Sequence, residues 1–372
     1  MTGNQPTHTK REIAKKLLVL SRYTRLGASS RLRTMQFERW LERGGFEVDY
    51  APFFDDAYLQ RLYGGASNMS ALVGYYRERV AQIRRRPQPD LIWIEKEVFP
   101  WLPWFLEQSL LPKGIPIVSD YDDAVFHRYD SHRLAPVRWL LGKKIDLVMR
   151  SSALVTAGNG YLSERATASG AGHVKIVPTV VDLEHYKLRG SFSTTDKLSV
   201  GWIGTPETWS SFALARYKKM QNAVEQNDAV FLAVGAALDR SFCGHLKILP
   251  WSEDKEVELI QSMAIGVMPL PDTPWTRGKC GYKLIQYMAC GLPVIASPVG
   301  VNTEIVEHGV NGFLATTDSE WREALVMLLR DPDLRNRMGA AGRQKVEEQY
   351  SLQIWGPRVA DMLSKVAREH IA

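Results

Sequence analysis

The sequence predicts an α/β protein with two successive domains, each built on a parallel sheet, that face each other across a cleft. Apolar strand patterns alternate with helical patterns along most of the chain, as is typical of parallel sheets. A polar run rich in Gly, Ser and Thr at residues 188–197 interrupts the alternation, and the pattern restarts after it. The length of 372 residues also favours two domains over one.

The first half opens with a strand, a loop, a helix and a second strand, the order in which a parallel sheet begins. Strands are predicted at residues 16–21, 46–52, 90–95, 115–119, 153–157 and 174–178. Helices are predicted from about residue 31 to Gly44 and near residues 71–85 and 137–150. The loops after the strands carry Arg22, Glu95 and the acidic run 120–123. Because parallel sheets bind ligands at the carboxyl ends of their strands, we expect these loops to face one cleft.

The second half repeats this organisation. Strands are predicted at residues 198–203, 230–234, 246–249 and 265–269, with one more after Pro293. A helix is expected to end near Asn227, Ser252 can cap another, and a final helix begins near Tyr350. The predicted division is a disordered tail (1–10), a first domain (11–190), a second domain (198–349) and a C-terminal helix (350–372) that returns to the first domain.

The stretch at residues 275–300 has the composition of an anion site. It places Arg277, Lys279 and Lys283, with Gly278 and Gly281, in a loop that runs into a short helix. A helix N-terminus presents backbone N–H groups that have no intrahelical acceptor, and its dipole favours negative charge. Glycines let a phosphate approach this backbone closely. The stretch is therefore expected to bind phosphate.

Charge and cysteine content limit the classes of partner and site. The formal net charge of +6 and the pI of about 9.1 favour anionic partners: nucleotides, lipid phosphates, an acidic membrane surface or nucleic acid. Cys243, Cys280 and Cys290 lack the CxxC spacing of a zinc site and suit a reducing compartment. The apolar run 17–20 is too short for a signal core, and no segment spans a bilayer. These features predict a cytoplasmic protein, at most peripheral at the inner face of the membrane.

Five segments of the second half resemble the family-4 retaining glycosyltransferases of the GT-B fold, in particular the bacterial surface-polysaccharide type. They are GWIGTP, LPWSE, GVMPLPDTPW, GKCGYKLIQYMACGLPVIASPVGVN and EHGVNGFLA. GASSRLR, DYDDA, NGYLSERA and VPTVVD extend the resemblance more loosely into the first half. The resemblance implies two Rossmann-like domains and transfer of a sugar from a nucleotide-diphosphate donor held mainly by the second domain. It implies no cofactor beyond this co-substrate.

Two pairs of residues depart from the family pattern. The family's two glutamates, eight positions apart, correspond to Gly278 and Gln286, of which Gln286 can still hydrogen-bond a ribose. The family's Arg and Lys, six positions apart, correspond to Thr205 and Ser211. Since a departing diphosphate develops negative charge, we expect the three cations of the 275–300 stretch to replace that basic pair.

The resemblance places the donor site in the second domain. The predicted donor-binding residues are Gly204, Thr205, Trp251, Arg277, Gly281, Tyr282 and Gln286, and the predicted catalytic residues are Lys279, Lys283 and Asp122. Trp251 stands where such enzymes hold the nucleobase, although a lone Trp also serves as packing. The alternative for the three cations is a solvated surface of a basic chain. The glycines, the helix start and the resemblance together favour phosphate binding.

The acceptor is predicted to bind in the loops of the first domain, through Gly27, Ser29, Arg31, Glu95 and Asp123. Ser29 and Arg31 can hold an anionic acceptor such as a lipid diphosphate. Asp122 or Asp123 can polarise the acceptor hydroxyl or bind a basic neighbour such as Arg128. The alternative for Glu95 is an ion pair with Lys96 or Arg22. Residues 84–86, with Trp101 and Trp104, can touch a membrane interface, unless the aromatic residues fill a core.

The run Asp120, Asp122 and Asp123 has a second interpretation. A DxD motif at a strand end holds a divalent metal and the nucleotide sugar in the other major glycosyltransferase architecture, and His127 and His132 lie close by in the sequence. The two-domain pattern and the motifs of the second half argue against this interpretation. We therefore predict no metal site.

The predicted function is metal-independent transfer of a hexosyl or related sugar, with retention, to a glycan or polyprenyl-linked acceptor in surface-polysaccharide or glycoconjugate synthesis. The leaving phosphate is expected to help deprotonate the acceptor, so that no dedicated nucleophile is needed. The loss of the family residues leaves open a non-catalytic, nucleotide-sugar-binding scaffold subunit. A nucleic-acid-binding function is disfavoured, because nothing resembles a recognition helix or an aromatic platform for single strands.

Overall fold

The computed structural model describes residues 14–63, 69–85, 88–188, 190, 197–237 and 244–370. In these residues the chain forms two six-stranded parallel sheets, one in each half. The first sheet contains β1 (Lys15–Leu20), β2 (Phe46–Tyr50), β3 (Leu91–Glu95), β4 (Ile117–Tyr121), β5 (Leu154–Ala157) and β6 (Val174–Ile176). The second contains β7 (Ser199–Ile203), β8 (Val230–Val234), β9 (Leu246–Leu249), β10 (Ile265–Met268), β11 (Val294–Ala296) and β12 (Gly312–Leu314). The predicted disordered tail and most of the predicted linker lie outside the described residues.

Helices connect the strands in both halves. Those of the first half are α1 (Ala28–Arg33), α2 (Glu38–Arg43), α3 (Asp56–Tyr63), α4 (Met69–Arg85), α5 (Trp104–Leu110), α6 (His127–Asp130), α7 (Ala135–Leu141), α8 (Lys144–Ser151) and α9 (Gly160–Ala168). Those of the second half are α10 (Pro206–Thr208), α11 (Leu214–Gln226), α12 (Glu256–Gln261), α13 (Pro274–Arg277), α14 (Tyr282–Ala289), α15 (Asn302–Ile305), α16 (Asp318–Arg330), α17 (Pro332–Gln349) and α18 (Leu352–Glu369). Short non-α turns lie at Met35–Phe37, Trp209–Ala213 and Glu253–Lys255.

The order of the strands creates a ligand crevice in each sheet. The second sheet runs β12-β11-β10-β7-β8-β9, the order of doubly wound dinucleotide-binding sheets, and it reverses between β7 and β10. The first sheet runs β2-β1-β3-β4-β5-β6 and reverses between β1 and β3. Ligands bind outside the carboxyl ends of the strands at such reversals. A site is therefore expected in the loops after β1, β3, β7 and β10.

Burial on both faces explains the continuous apolar strands of the sequence. All five residues of β3 and all five of β7 are buried. In β7, Val200 and Trp202 join the cluster around Trp321, whereas Ile203 joins the cluster around Leu284. Two cores therefore cover the two faces of the second sheet, as parallel sheets require.

The last helix, α18, returns to the first domain, as predicted. Its Leu352 and Leu363 pack in one cluster with Phe37. Gly356 permits this contact, because a Cβ at that position would lie 2.3 Å from the ring of Trp40. Within the residues that the structure describes, no helix is both long enough and apolar enough to cross a bilayer.

Two predicted helices are each divided in the structure. The helix expected up to Gly44 is divided into α1 and α2, because Thr34, with a φ of −129°, leaves the helical region and donates its Oγ1 to the Ser30 carbonyl at 2.7 Å. The helix expected at residues 137–150 is divided into α7 and α8 at Gly142 and Lys143. The strands that were predicted with bounds lie within two residues of them, whereas β12 was not predicted. The predicted domain boundaries stay a prediction.

Candidate functional site

The candidate site lies where the loops of the two sheets meet. Lys279 follows β10 in the second domain, and its Nζ lies 2.7 Å from Asp123 Oδ1 in the loop after β4. Asn159 Nδ2 donates to the Lys279 carbonyl at 3.0 Å. Cys280 Sγ donates to the Asp122 carbonyl at 3.1 Å. The predicted donor loop of the second domain is thus brought against the predicted acceptor loops of the first.

The start of α14 supplies backbone donors for an anion. The amides of residues 280–283 have no acceptor in the described part of the chain, whereas those of Leu284 and Ile285 donate to the Gly281 carbonyl. Gly281 precedes the helix with a φ of 66°, in the left-handed region that favours glycine. Free amides at a helix N-terminus, aligned with the helix dipole, form an anion site.

Lys283 adds a positive charge beside these amides. Among the described residues no carboxylate forms an ion pair with its ammonium, and Nζ lies 5.7 Å from the centre of the Trp202 ring. Burial, and then the charge of Lys279, lower the pKa of Lys283 to about 8. A partly buried ammonium without a counter-ion is unfavourable for the fold and is typical of a binding site. The structure thus favours an anion site over a solvated surface at this position.

The other two cations of the stretch already have carboxylate partners. Burial lowers the pKa of Lys279, but Asp123 and Asp122 together raise it by more, so that the pKa lies above its ordinary value. Arg277 forms a bidentate ion pair with Asp272, with N–O distances of 2.7 and 2.9 Å, and half of its side chain is exposed. Donor binding by Arg277 would have to compete with this ion pair and stays a prediction.

Gly278, at the family's first glutamate position, lies where the two domains approach closely. A Cβ at Gly278 would lie 2.7 Å from the Ala124 nitrogen and 2.6 Å from the Ala124 Cβ. Any side chain would therefore push apart the loops after β4 and β10. A glutamate at position 278 is therefore excluded from this arrangement by a contact that the sequence alone did not show.

A buried polar network lies beside α14, and two of its members, Tyr186 and Glu256, were not predicted from the sequence. Gln286, only 2% exposed, donates its Nε2 to Tyr186 Oη at 2.7 Å. Tyr186 donates to Glu256, whose other oxygen accepts from Trp251 Nε1 at 2.7 Å. Tyr282 Oη lies 3.1 Å from Tyr186 Oη. Three predicted donor-binding residues are thus connected by two residues that no motif indicates.

The loop after β7 places Gly204 and Thr205 near Trp202, and the backbone amides of both residues already donate hydrogen bonds within the protein. The Gly204 amide donates to the Val234 carbonyl at 3.0 Å, and the Thr205 amide donates to Thr208 Oγ1 at 3.1 Å. A Cβ at Gly204 would lie 2.6 Å from the Trp202 ring. Neither amide is therefore free to bind a phosphate in this arrangement, and the predicted contact of the donor with Gly204 and Thr205 stays a prediction.

Arg31 of the first domain lies over Trp251 of the second. Its guanidinium carbon is 5.4 Å from the Trp251 ring centre, and its Nε is 3.7 Å from Glu253 Oε1. Gly27, just before α1, lies against Tyr23, since a Cβ at Gly27 would be 2.4 Å from the Tyr23 Cβ. The predicted acceptor residue Arg31 thus touches the predicted nucleobase residue. A base stacked on this face of Trp251 would displace the guanidinium.

Glu95 is completely buried, and its carboxylate accepts hydrogen bonds from groups of the protein itself. Its Oε2 accepts from the Arg22 amide at 2.8 Å and from Ser30 Oγ at 2.5 Å. Burial raises the pKa of Glu95, although Lys96 opposes the shift. In this arrangement the carboxylate is enclosed and fixes the loop after β1, so the predicted acceptor contact of Glu95 stays a prediction.

Ser29, Lys96 and Asp122 form a compact cluster at the acceptor loops. Lys96 Nζ lies 2.8 Å from Asp122 Oδ1 and donates to Ser29 Oγ at 3.1 Å, while Ser29 Oγ donates to Asp122 Oδ2 at 2.7 Å. Burial alone would raise the pKa of Asp122, but Lys96 and then Arg33 lower it to about 2. An aspartate held ionised in this way is a poor proton acceptor, which disfavours the predicted catalytic role of Asp122. Lys96, with a φ of 67°, lies in this cluster, whereas the sequence predicted it only as an ion-pair partner of Glu95.

The acidic run 120–123 does not fit a metal site. Asp120 forms a bidentate ion pair with the buried Arg33, at 2.6 and 2.9 Å, and accepts from Thr156 Oγ1 at 2.6 Å. Asp122 forms an ion pair with Lys96 of the first domain, and Asp123 forms one with Lys279 of the second. His127 is bonded to Asp130 and Tyr161. Across the described ranges, no group of His, Cys, Asp or Glu is arranged to hold a metal ion.

Comparison with known proteins agrees with this geometry. Residues 198–331 match the family described as "Glycosyl transferases group 1". The crystal structure of Anabaena HepE in complex with UDP and glucose covers 94% of this chain and 100% of its own, with a TM-score of 0.68 at 17% identity. The chain has the GT-B fold. The sucrose-phosphate synthase of Thermosynechococcus elongatus, with a TM-score of 0.69 at 14% identity, covers 95% of this chain and 99% of its own.

Relatives in sequence match shorter segments of this GT-B chain. The GDP-mannose-dependent monoacylated alpha-(1-6)-phosphatidylinositol monomannoside mannosyltransferase of Corynebacterium glutamicum is 37% identical over 89 residues, which are 24% of this chain and 23% of that protein. The N-acetyl-alpha-D-glucosaminyl L-malate synthase of Bacillus anthracis is 36% identical over 72 residues, 19% of each chain. The chain thus spans less than a quarter of the length of these curated relatives. The family match contains β7, Trp251 and α14, and so falls on the domain predicted to hold the donor.

Proposed function

We propose that this protein is a glycosyltransferase that moves a sugar from a nucleotide-diphosphate donor to a hydroxyl of a glycan or lipid-linked acceptor. The observation that carries the proposal is the start of α14, where four free amides lie beside Lys283. This helix follows β10, at the strand-order reversal where doubly wound sheets bind nucleotides. The family match over residues 198–331 supports the proposal, as do the UDP and glucose bound by Anabaena HepE.

Each part of the donor has a proposed position. The diphosphate lies against the amides of residues 280–283 and the ammonium of Lys283. Lys279 reaches it by exchanging its ion pair with Asp123 for one with phosphate. Gln286 contacts the ribose, and Trp251 contacts the base once the guanidinium above its ring has moved. The network of Tyr186 and Glu256 holds the side chains of Gln286 and Trp251 in place for this task.

The transfer is proposed to retain configuration and to need no metal. The bond from the sugar C1 to the β-phosphate oxygen breaks, and a bond from C1 to the acceptor oxygen forms on the same face. The acceptor proton passes to the leaving phosphate oxygen, so no side chain acts as nucleophile. The amides and the two lysines stabilise the charge that develops on the diphosphate.

The acceptor side of the cleft is proposed to hold an acceptor of surface-polysaccharide or glycoconjugate synthesis, with the enzyme working in the cytoplasm. Ser29, Lys96 and Arg31 line the loops that face the donor domain. The glycine at position 278 and the glutamine at position 286 favour one second candidate, a nucleotide-sugar-binding subunit without activity. Such a subunit would bind nucleotides but would not transfer the sugar of the donor.

The proposal is tested with thermal-shift measurements on the full chain against UDP, GDP, dTDP, CDP and their sugars, with and without chelator. A ligand of micromolar affinity at a hundredfold excess over its Kd should stabilise the protein by about 2.7 kcal/mol. No shift with any nucleotide would refute the donor site. A shift that chelator removes would restore the metal interpretation. Release of nucleoside diphosphate in the presence of an acceptor extract then separates the transferase from the inactive subunit.

A further inference from the structure

Exposed apolar side chains are concentrated in one part of the first domain. Seven of the twelve large apolar side chains exposed among the described residues lie between residues 101 and 147. Trp139, on α7, is 87% exposed, more than any other of the twelve. Single exposed apolar residues are ordinary, but a concentration of them, with a nearly free indole, indicates a binding surface.

These side chains lie on neighbouring elements. Trp104 Nε1 of α5 donates to Ser151 Oγ of α8 at 3.0 Å, which joins those two helices. The Trp101 ring lies 5.7 Å from the His132 ring, just before α7. We call this region the α7 surface. It consists of Trp101, Phe105, Leu134, Trp139, Leu140 and Leu147.

A buried network of ion pairs connects the elements that carry the α7 surface. Lys144, at the start of α8, lies 2.6 Å from Glu97 and 2.7 Å from Glu107 of α5. Tyr129 donates to the same Glu97 at 2.6 Å and accepts from the Trp101 amide at 3.0 Å. Since these groups are enclosed and mutually bonded, they fix α5, α8 and the Trp101 turn relative to one another. The apolar side chains are thus displayed on an ordered support.

Most of the α7 surface lies in a segment that is rich in positive charge. Residues 131–151 contain five basic residues, of which only Lys144 is buried, and one acidic residue, Asp146, which is bonded to Arg165 at 2.7 Å. Arg133, Lys143 and Arg150 are exposed. Apolar and aromatic side chains within a basic rim are the composition that anionic bilayers attract. Indole rings in particular favour the boundary between headgroups and acyl chains.

We propose that the α7 surface binds the anionic lipid face of a bilayer, with Trp139 and Leu140 in the headgroup boundary and the surrounding cations on lipid phosphates. This surface shares only Trp101 with the one predicted from the sequence. Trp104 is buried, and Arg84 and Arg85 precede β3 whereas Trp101 follows it, so that they lie at opposite edges of the sheet. The inference goes beyond the transfer reaction, because binding to lipid does not require activity.

The position of the α7 surface suits a lipid-linked acceptor. The helices α6 and α7 continue from the loop after β4, which carries Asp122 and Asp123 of the candidate site. A bilayer held by the α7 surface would lie beside the acceptor loops, at the carboxyl edge of the first sheet. An acceptor anchored in that bilayer would then have a short path to the cleft.

The test is co-sedimentation of the full chain with phosphatidylcholine vesicles, with and without phosphatidylglycerol. We expect binding only when the anionic lipid is present. Trp139→Ala should lower the partition coefficient about tenfold by removing the buried indole. The double variant Arg133→Gln/Lys143→Gln should lower it about fivefold for each cation. Matched controls on the second domain are Met327→Ala and the double variant Arg322→Gln/Arg337→Gln, which should bind as the wild type does.

Three results would overturn the proposal. Absence of sedimentation with anionic vesicles is one, and equal binding of wild type and Trp139→Ala is another. The third is a dimer in size-exclusion chromatography that Trp139→Ala dissociates while neither protein binds vesicles, since the α7 surface would then join two copies of the chain. Trp139 is 87% exposed, so its substitution should leave the melting temperature unchanged, and a loss of vesicle binding would then reflect the lost indole.

Discussion

Replacement of Lys283 by methionine should stabilise the protein at neutral pH. In the folded chain the pKa of Lys283 is lowered from 10.5 to about 8, first by burial and then by the charge of Lys279. At pH 7 the folded state therefore carries a charged group that the unfolded state accommodates more easily. This lowering corresponds to at most about 3 kcal/mol of unfolding free energy. Methionine keeps much of the aliphatic stem and removes the charge, so it should recover part of that amount.

The gain from Lys283→Met should depend on pH with a definite sign. The wild-type cost is fully present below pH 8, where both states bind the proton, and it disappears as pH rises towards 10.5, where both states release it. Urea denaturation at pH 7, 8.5 and 10 should therefore show a stabilisation that shrinks with pH. Lys219→Met is the control, because Lys219 is exposed and paired with Asp318. A destabilised Lys283→Met variant, or a gain that does not change with pH, would refute the account of Lys283 as an uncompensated cation.

Three further substitutions test other parts of the cleft. Gly278→Glu, which restores the family residue, should lower donor turnover by roughly tenfold or more, because its Cβ would collide with Ala124. The control Gly172→Glu should have no effect, since the space around the Cβ of residue 172 is open. A gain of activity in Gly278→Glu would contradict the steric explanation. Asp123→Asn should tighten nucleoside-diphosphate binding by about threefold to tenfold in calorimetry, since it releases Lys279 from its ion pair. Weaker binding by this variant would contradict that reasoning and would mean that Asp123 orients Lys279 for binding. Asp122→Asn should cost about 3 kcal/mol of unfolding free energy at pH 7 because Lys96 loses its partner. As the folded pKa of Asp122 is lowered to about 2, that difference should shrink as pH falls below 4, and a difference independent of pH would contradict the assignment.

Local patterns were enough to predict the fold and the start of α14. Burial on both faces makes the parallel strands continuous apolar runs, so β3 and β7 are visible in the sequence. The left-handed Gly281 and the neighbouring Lys283 are close in sequence, and their arrangement depends on one helix start.

Contacts between distant segments could not be predicted in the same way. The partner of Gly278 is Ala124 in the other domain, and the partner of Gln286 is Tyr186 near the domain junction. The local sequence around Glu95 does not show whether its side chain is exposed or buried. The packing of α1 against β3 encloses the carboxylate, and that contact joins distant segments. The Arg277–Asp272 ion pair is the exception, because its partners are five residues apart in one loop and could have been recognised.

The central claim is that the start of α14 holds the diphosphate of a nucleotide-sugar donor. Isothermal titration calorimetry of the nucleoside diphosphates with wild type, Lys283→Met and Lys219→Met tests it directly. We predict that at least one nucleoside diphosphate binds the wild type with a micromolar Kd. Lys283→Met should weaken that binding by about tenfold to a hundredfold, the effect of losing a charge-assisted hydrogen bond, while Lys219→Met leaves it unchanged. Equal binding by the two variants, or no binding of any nucleoside diphosphate by the wild type, would contradict the claim.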